Sequence, residues 1–391
     1  MPALSPSLTD ITGGGSDGWE VFMRARKMIA DGTPVTELTI GEHDIRTDPS
    51  ILAAMDAAAR GGHTGYAMVP GITALRAEVA RRVQERTGTP TSIENVMITP
   101  GGQSALFAAH LAACPKGAKA LFIDPYYATY PGTLRAIGAI ATPIKTQAED
   151  GFQPRAADID AAAHGAASLL INSPNNPTGV VYTRAALEGI AEVCKRHDLW
   201  LISDEVYDTQ IWQGAHISPR TLDGMAERTL VIGSMSKSHA MTGSRVGWIV
   251  GPREAIAHLT NLATHTTYGV AGFVQDAALF ALKQGRSFEQ KIGAPFKRRR
   301  ALSVDILAEQ NVVKMIPADG AMYVMLDIRA TGLSGDAFAN RLLDARHIAV
   351  MPGESFGRAA AGHIRVAMTI DDAAYAKALR ALCAFAATLC E

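Results

Sequence analysis

From about residue 90 the chain alternates short, almost uninterrupted apolar runs with amphipathic stretches. The runs at 96–99, 120–123, 168–172, 199–203, 229–233 and 246–250 predict strands buried on both faces. Helical spacing fills the gaps between them. Leu187, Ile190, Ala191 and Cys194 recur at i, i+3, i+4 and i+7 behind Thr183, a candidate N-cap. Repeated strand–helix alternation predicts an α/β fold, a mostly parallel sheet covered by helices, with functional groups gathered outside the carboxyl ends of its strands. After about residue 252 the pattern changes to long helices, one with a basic run at 297–300 expected to be a solvated face. Shorter strands around 322–326, 348–351 and 364–367, with helices near 334–345 and 371–390, predict a second, smaller α+β layer.

At 391 residues the chain is long enough for one large or two closely packed domains. Lysine plus arginine, 37, nearly cancels aspartate plus glutamate, 38, which argues against charge-driven binding of nucleic acid or membrane surfaces. No apolar run reaches the roughly 18 residues of a membrane helix, and the N-terminus has no signal-peptide pattern, so a cytoplasmic location is expected. Cys114, Cys194, Cys383 and Cys390 lack C-x-x-C spacing and predict neither disulfides nor structural zinc. Residues 1–18, with Gly13, Gly14 and Gly15, read as a flexible arm too short for a helix-turn-helix.

The chemistry sits at the strand ends. The run ending at Ile202 leads into Ser203, Asp204, Glu205, Val206 and Tyr207, and the next leads into Ser234, Met235, Ser236 and Lys237. A lone Asp there can be a helix cap, and a lone Lys a solvated side chain. Taken together, a lysine leaving a buried strand suits a Schiff base with an aldehyde cofactor, and an Asp on a neighbouring strand end suits the ring nitrogen of pyridoxal phosphate. Gly101, Gly102 and Gln103 precede an apolar-periodic helix and could cradle a phosphate or form a plain turn; Ser234, Ser236 and Arg245 could add side-chain contacts. His197 and Asp198 read as a polar turn rather than a metal pair, and Tyr268 as packing.

SPNNPTG (173–179), SDEVY (203–207) and SMSKSHAMTGSRVGW (234–248), with GEHD (41–44), TGYAMVPG (64–71), PYYATYP (125–131) and HIRVAM (363–368), resemble class I pyridoxal-phosphate aminotransferases of the aspartate aminotransferase-like fold, fold type I. The resemblance covers nearly the whole chain. It implies a large cofactor-binding domain at 47–285, a small domain at 286–391, and an arm with part of the small domain at 1–46. It implies that Lys237 carries the cofactor, Asp204 pairs with its ring nitrogen, Asn176 and Tyr207 meet its phenolic oxygen, and Tyr127 stacks on its ring. Gly101, Gly102, Gln103, Ser234, Ser236 and Arg245 match phosphate positions, and Tyr66 matches a residue reaching the phosphate from the other subunit of a homodimer. Arg365 matches the grip on the substrate α-carboxylate, with Asn176 and the Gly41 backbone alongside.

The implied reaction is ping-pong transfer of an amino group from an amino acid to a 2-oxo acid. His43 stands where Pro is usual and Ile45 where Phe is common, and no counterpart is found for the arginine that reads a distal carboxylate. The segments WLISDEVYD, SKSHAMTGSRVGW, DAFANRLLD and AAAGHIRV are similar to arginine–pyruvate transaminases, favouring a basic or long polar donor with pyruvate as acceptor. Trp19 and Glu20 either face that substrate or are a core Trp beside a solvated Glu. An aspartate or aromatic aminotransferase, or a C–S lyase of the same fold, is the alternative.

Overall fold

The computed structural model describes residues 2–13 and 18–390. Seven strands form the main sheet, in the order Val96–Thr99, Gly247–Val250, Thr229–Ser234, Trp200–Asp204, Ala166–Asn172, Lys119–Asp124, Ile140–Lys145. Gly247–Val250 runs against both neighbours and the other pairs are parallel. Alternate residues serve opposite faces: Leu121, Ile123, Leu169, Ile171 and Leu201 pack into one core, Ala120, Phe122, Leu170 and Ile202 into another. Burial on both sides at period two is why these strands read as continuous apolar runs.

The edge strand Ile140–Lys145 has mostly exposed or half-buried residues, includes Pro143, and escapes the apolar-run signal. Thr183 caps the helix Arg184–Arg196 by accepting from the Ala186 amide, as its position predicts. The antiparallel second sheet runs Met351–Pro352, His363–Ala367, Tyr323–Asp327, Lys314–Met315. Helices Gly335–Arg346 and Asp372–Ala387 border its core. The predicted strand at 348–351 is split, with Ile348–Ala349 pairing in parallel with Thr36–Glu37 instead. Segment 38–41 continues against the second sheet, the Ala367 amide donating to the Leu38 carbonyl at 2.9 Å.

One expectation is corrected. The basic run is not uniformly solvated: successive helical residues turn about 100°, so Lys297 and Arg298 point outward while Arg299 is buried and bonds Asp44, Asp372 and the Met368 carbonyl. The N-terminal arm holds a helical turn at Pro6–Thr9, and Arg135 donates to the Ile11 carbonyl at 2.8 Å; Gly14 and Gly15 lie outside the described residues.

The loop that follows Ala166–Asn172 meets the second sheet at Gly179. Its carbonyl accepts from the Asp319 and Gly320 amides, both at 2.9 Å, and a Cβ there would lie 2.7 Å from the Tyr323 carbonyl oxygen and 2.8 Å from Ala318 Cβ. With φ of 75°, this position combines a left-handed backbone with no room for a side chain.

Candidate active site

A cavity of about 330 Å³ opens at the carboxyl edge of the main sheet, with Tyr323 and Arg365 of the second sheet in its lining. Asp204 ends its strand at the base of this cavity. Desolvation pushes its carboxyl up to about 6, against the pull of the Tyr130 hydroxyl, which donates to Oδ2 at 2.6 Å, and the Val206 amide, 3.3 Å from Oδ1. A buried carboxylate held by two neutral donors is suited to a cationic partner.

Lys237 sits one strand over, in the short helix Met235–Ser238 that follows Thr229–Ser234. Its Nζ donates to the Gly41 carbonyl at 2.5 Å, and burial pushes the amine's pKa down, the direction a nucleophilic lysine needs. Its carbonyl accepts from Gln210 at 3.1 Å and lies 2.9 Å from His43 Nε2.

The anion end is built from both sheet and helix. Gly101, at φ of 79°, opens the helix Gly101–Ala113, and a Cβ on it would come within 2.2 Å of Arg245 Nη2. Arg245 is turned in by a left-handed backbone, its Nη1 bonded to the Thr242 carbonyl at 2.8 Å and 3.5 Å from Ser236 Oγ. Ser234 caps the lysine's helix by accepting from the Ser236 amide at 3.1 Å. Gly102, Gln103, Ser234, Ser236 and Arg245 line the cavity, and the Gln103 amide group is itself engaged by Thr129 and Thr133. A helix N-terminus, two hydroxyls and a guanidinium around a glycine-made opening suit a phosphate.

Arg365 is buried on an inner strand of the second sheet, its guanidinium carbon 4.3 Å from the Tyr323 ring centre and 4.4 Å from that of Phe356. It donates to Asn176 Oδ1 at 2.8 Å and to the Thr39 carbonyl; Nε has no partner among the described residues. Desolvation lowers its pKa from the ordinary arginine value. No side-chain carboxylate pairs with it among the described residues, which leaves this buried cation suited to a carboxylate ligand. The Tyr207 hydroxyl lies 3.1 Å from that of Tyr323, and burial pushes the Tyr207 pKa well up.

The structure therefore brings into one cavity Lys237, Asp204, Tyr207, Asn176, Tyr127, Arg365, Gly41 and Trp19 with the phosphate-type residues; Gly101 stands behind the lining. Tyr66 is not among them. It is 91% exposed, and its ring stands edge-to-face with Tyr268 at 5.1 Å between centres. Sequence reasoning missed Tyr130, Tyr323, Phe356, Thr39 and Gln210, whose parts are set by tertiary contacts rather than by any local pattern.

Trp19 also borders a second cavity, whose lining carries the carboxylates Glu20, Asp336 and Glu354 and the Arg135 guanidinium. Desolvation and the negative charges of Glu354 and Glu20 raise the Asp336 carboxyl's pKa.

Comparison with known proteins gives a consistent set of relatives. The family model for aminotransferase class I and II matches residues 33–382. An arginine–pyruvate transaminase of Pseudomonas aeruginosa is 40% identical over 377 residues, 96% of each chain. An aspartate/prephenate aminotransferase of Thermus thermophilus is 32% identical, over 92% of this chain and 93% of its own. A solved aspartate aminotransferase of Thermus thermophilus superposes with a TM-score of 0.91 at 31% identity, over 98% of this chain and all of its own.

Proposed function

The chain belongs to the class I and II aminotransferases, and from that premise we propose that it moves the α-amino group of a basic or long polar amino acid, arginine foremost, to pyruvate. It is a transaminase whose cofactor is pyridoxal phosphate, in the α/β fold type I architecture. When bound, the cofactor supplies a carbonyl to take up the amino group and a cationic ring to draw off the electron pair left at the substrate Cα.

On this reading Lys237, Asp204, Tyr207, Asn176 and Tyr127 hold the ring end, and Gly101, Gly102, Gln103, Ser234, Ser236 and Arg245 the phosphate end. Asp204 supports a proton on the ring nitrogen, the cationic partner its burial favours. The Lys237 amine, whose pKa desolvation lowers, takes the proton from the substrate Cα in its neutral form and returns it during transfer. Arg365 grips the α-carboxylate beside Asn176 and the Gly41 backbone. Donor and acceptor both carry that carboxylate, so they use one grip in turn, and a ping-pong order follows.

The observation that carries the donor assignment is the near full-length match to an arginine–pyruvate transaminase. The local chemistry agrees. Among the described residues the basic side chains lining the main cavity are Lys237, Arg245 and Arg365, all occupied by the roles above, so an acidic donor side chain would find no unassigned one there. Beyond Trp19, the second cavity is lined by three acidic side chains and one guanidinium, a setting that suits a cationic side chain.

Tyr66, Met68 and Tyr268 are exposed apolar side chains, consistent with a homodimer in which Tyr66 enters the partner's site. Among the described residues no helix is long and apolar enough to cross a membrane. A cytoplasmic enzyme of amino acid metabolism, divided near 46/47 and 285/286, completes the reading.

The test is the first half-reaction of the holoenzyme with arginine, lysine, alanine, aspartate and phenylalanine. Arginine should give the highest kcat/KM. Aspartate ahead of arginine by more than about tenfold, ~1.4 kcal/mol in transition-state binding, would replace this assignment with an aspartate aminotransferase.

A further inference from the structure

Lys237 is held at both ends by one stretch of chain. Its Nζ donates to the Gly41 carbonyl at 2.5 Å, while its own backbone carbonyl lies 2.9 Å from His43 Nε2. Four residues on, Thr47 Oγ1 donates to the Ala240 carbonyl at 2.6 Å, so segments 41–47 and 237–240 are laced together. Since a carbonyl only accepts, the bond at Lys237 fixes His43 as the tautomer with its proton on Nε2. Nδ1 is buried without a partner among the described residues, where the imidazole makes no other hydrogen bond.

The ring is oriented from outside the site. It meets the edge of Phe296 at 5.3 Å between centres, and the adjacent Asp44 is bound by the buried Arg299. Burial, with the Lys237 charge nearby and Asp44 opposing, pushes the His43 pKa down to about 4, so the ring is a neutral donor over the working range. Gln210 Nε2 adds a second donor to the same carbonyl at 3.1 Å. A carbonyl with both acceptor directions occupied has its peptide plane fixed. That matters for a lysine whose amine lies at the end of four rotatable bonds and must meet two reacting atoms in succession.

We propose that His43 is a positioning residue for Lys237: its neutral imidazole N–H pins the lysine's peptide so that the amine is held beside Gly41, poised to react. The role lies outside the substrate assignment and holds whatever amino donor the enzyme prefers.

The variants that decide it are His43→Phe, which keeps a ring against Phe296 but has no donor, and His43→Gln, whose amide nitrogen has about the reach of Nε2. Two readouts are used: steady-state kinetics with the fastest donor, and the rate at which apoprotein with added pyridoxal phosphate develops visible absorption. His43→Phe should lower kcat about five- to tenfold, the scale of one neutral hydrogen bond. The donor KM should stay within about twofold, and reconstitution should slow by a similar factor to kcat. His43→Gln should restore both rates to within about twofold of wild type. Wild-type rates in His43→Phe, or equal loss in His43→Phe and His43→Gln, would overturn the proposal. If His43→Phe does not fold, His43→Asn takes its place, since its shorter amide falls short of the carbonyl; Asn and Gln behaving alike would also overturn it.

Discussion

Tyr130 donates its hydroxyl to Asp204 Oδ2 at 2.6 Å, with both side chains buried at the base of the cavity. The bond partly offsets the desolvation of the carboxylate, but it supplies no charge. In the protein without cofactor, Asp204 is therefore a functional group kept at a cost in stability.

That cost has a definite pH window. Desolvation raises the Asp204 carboxyl from 3.8 to about 6, so the folded apoprotein holds the proton more tightly than the unfolded chain. Stability attributable to this residue falls as pH rises from about 4 to about 6 and stays lower above, by up to about 3 kcal/mol. Apo Asp204→Asn should thus melt above apo wild type at pH 8 and alongside it near pH 4. Adding pyridoxal phosphate should reverse the order at pH 8, because only the carboxylate gains a cationic partner. Thermal melts of both proteins, with and without cofactor, check this.

Lys237→Ala removes the covalent anchor and the proton carrier together. Turnover should fall beyond the ~10²- to 10⁴-fold range of losing a general base alone. Steady-state activity retained in cofactor-loaded protein would contradict the assignment.

Arg365→Lys keeps a charge but loses the planar fork and its stacking between Tyr323 and Phe356. KM should rise about 10- to 100-fold for donor and acceptor alike, the scale of a charge-assisted hydrogen bond, while affinity for pyridoxal phosphate changes little. Unequal effects on the two substrates would mean that they do not share this grip.

A shared site can be tested by complementation. Tyr66→Ala and Lys237→Ala chains, each inactive, should regain activity when mixed, since a mixed dimer contains one site with both residues intact. Native mass spectrometry verifies subunit exchange, and no recovery despite exchange counts against Tyr66 reaching across.

The parts of this enzyme readable from its sequence are those where one physical demand dominates. Strands such as Ala166–Asn172 announce themselves because both faces are buried, as does the edge strand Val96–Thr99; Ile140–Lys145, at the other edge, does not, because most of its residues stay exposed or half-buried. The basic run misleads because composition ignores helical rotation, which turns Arg299 inward to Asp44 while its neighbours Lys297 and Arg298 stay in solvent. Lys237 and Asp204 stand out because polar groups directly after apolar strands are conspicuous. Tyr130 does not, since its partner is 74 residues away and only the folded sheet brings them together. His43 is visible as a departure from a motif, yet its bond to the Lys237 carbonyl is a tertiary fact.

Gly179 acts as a spacer with consequences for what the enzyme can grasp. The guanidinium that suits the cofactor phosphate, Arg245, precedes a strand of the main sheet, whereas Arg365 lies on the second sheet, so the gauge between the two anions is the separation of the sheets. Gly179 is one place where the two parts come into contact, its backbone against the Tyr323 carbonyl with no side chain between them. Any larger residue there would act as a shim, pressing on the strand that pairs with the one bearing the substrate clamp, Arg365.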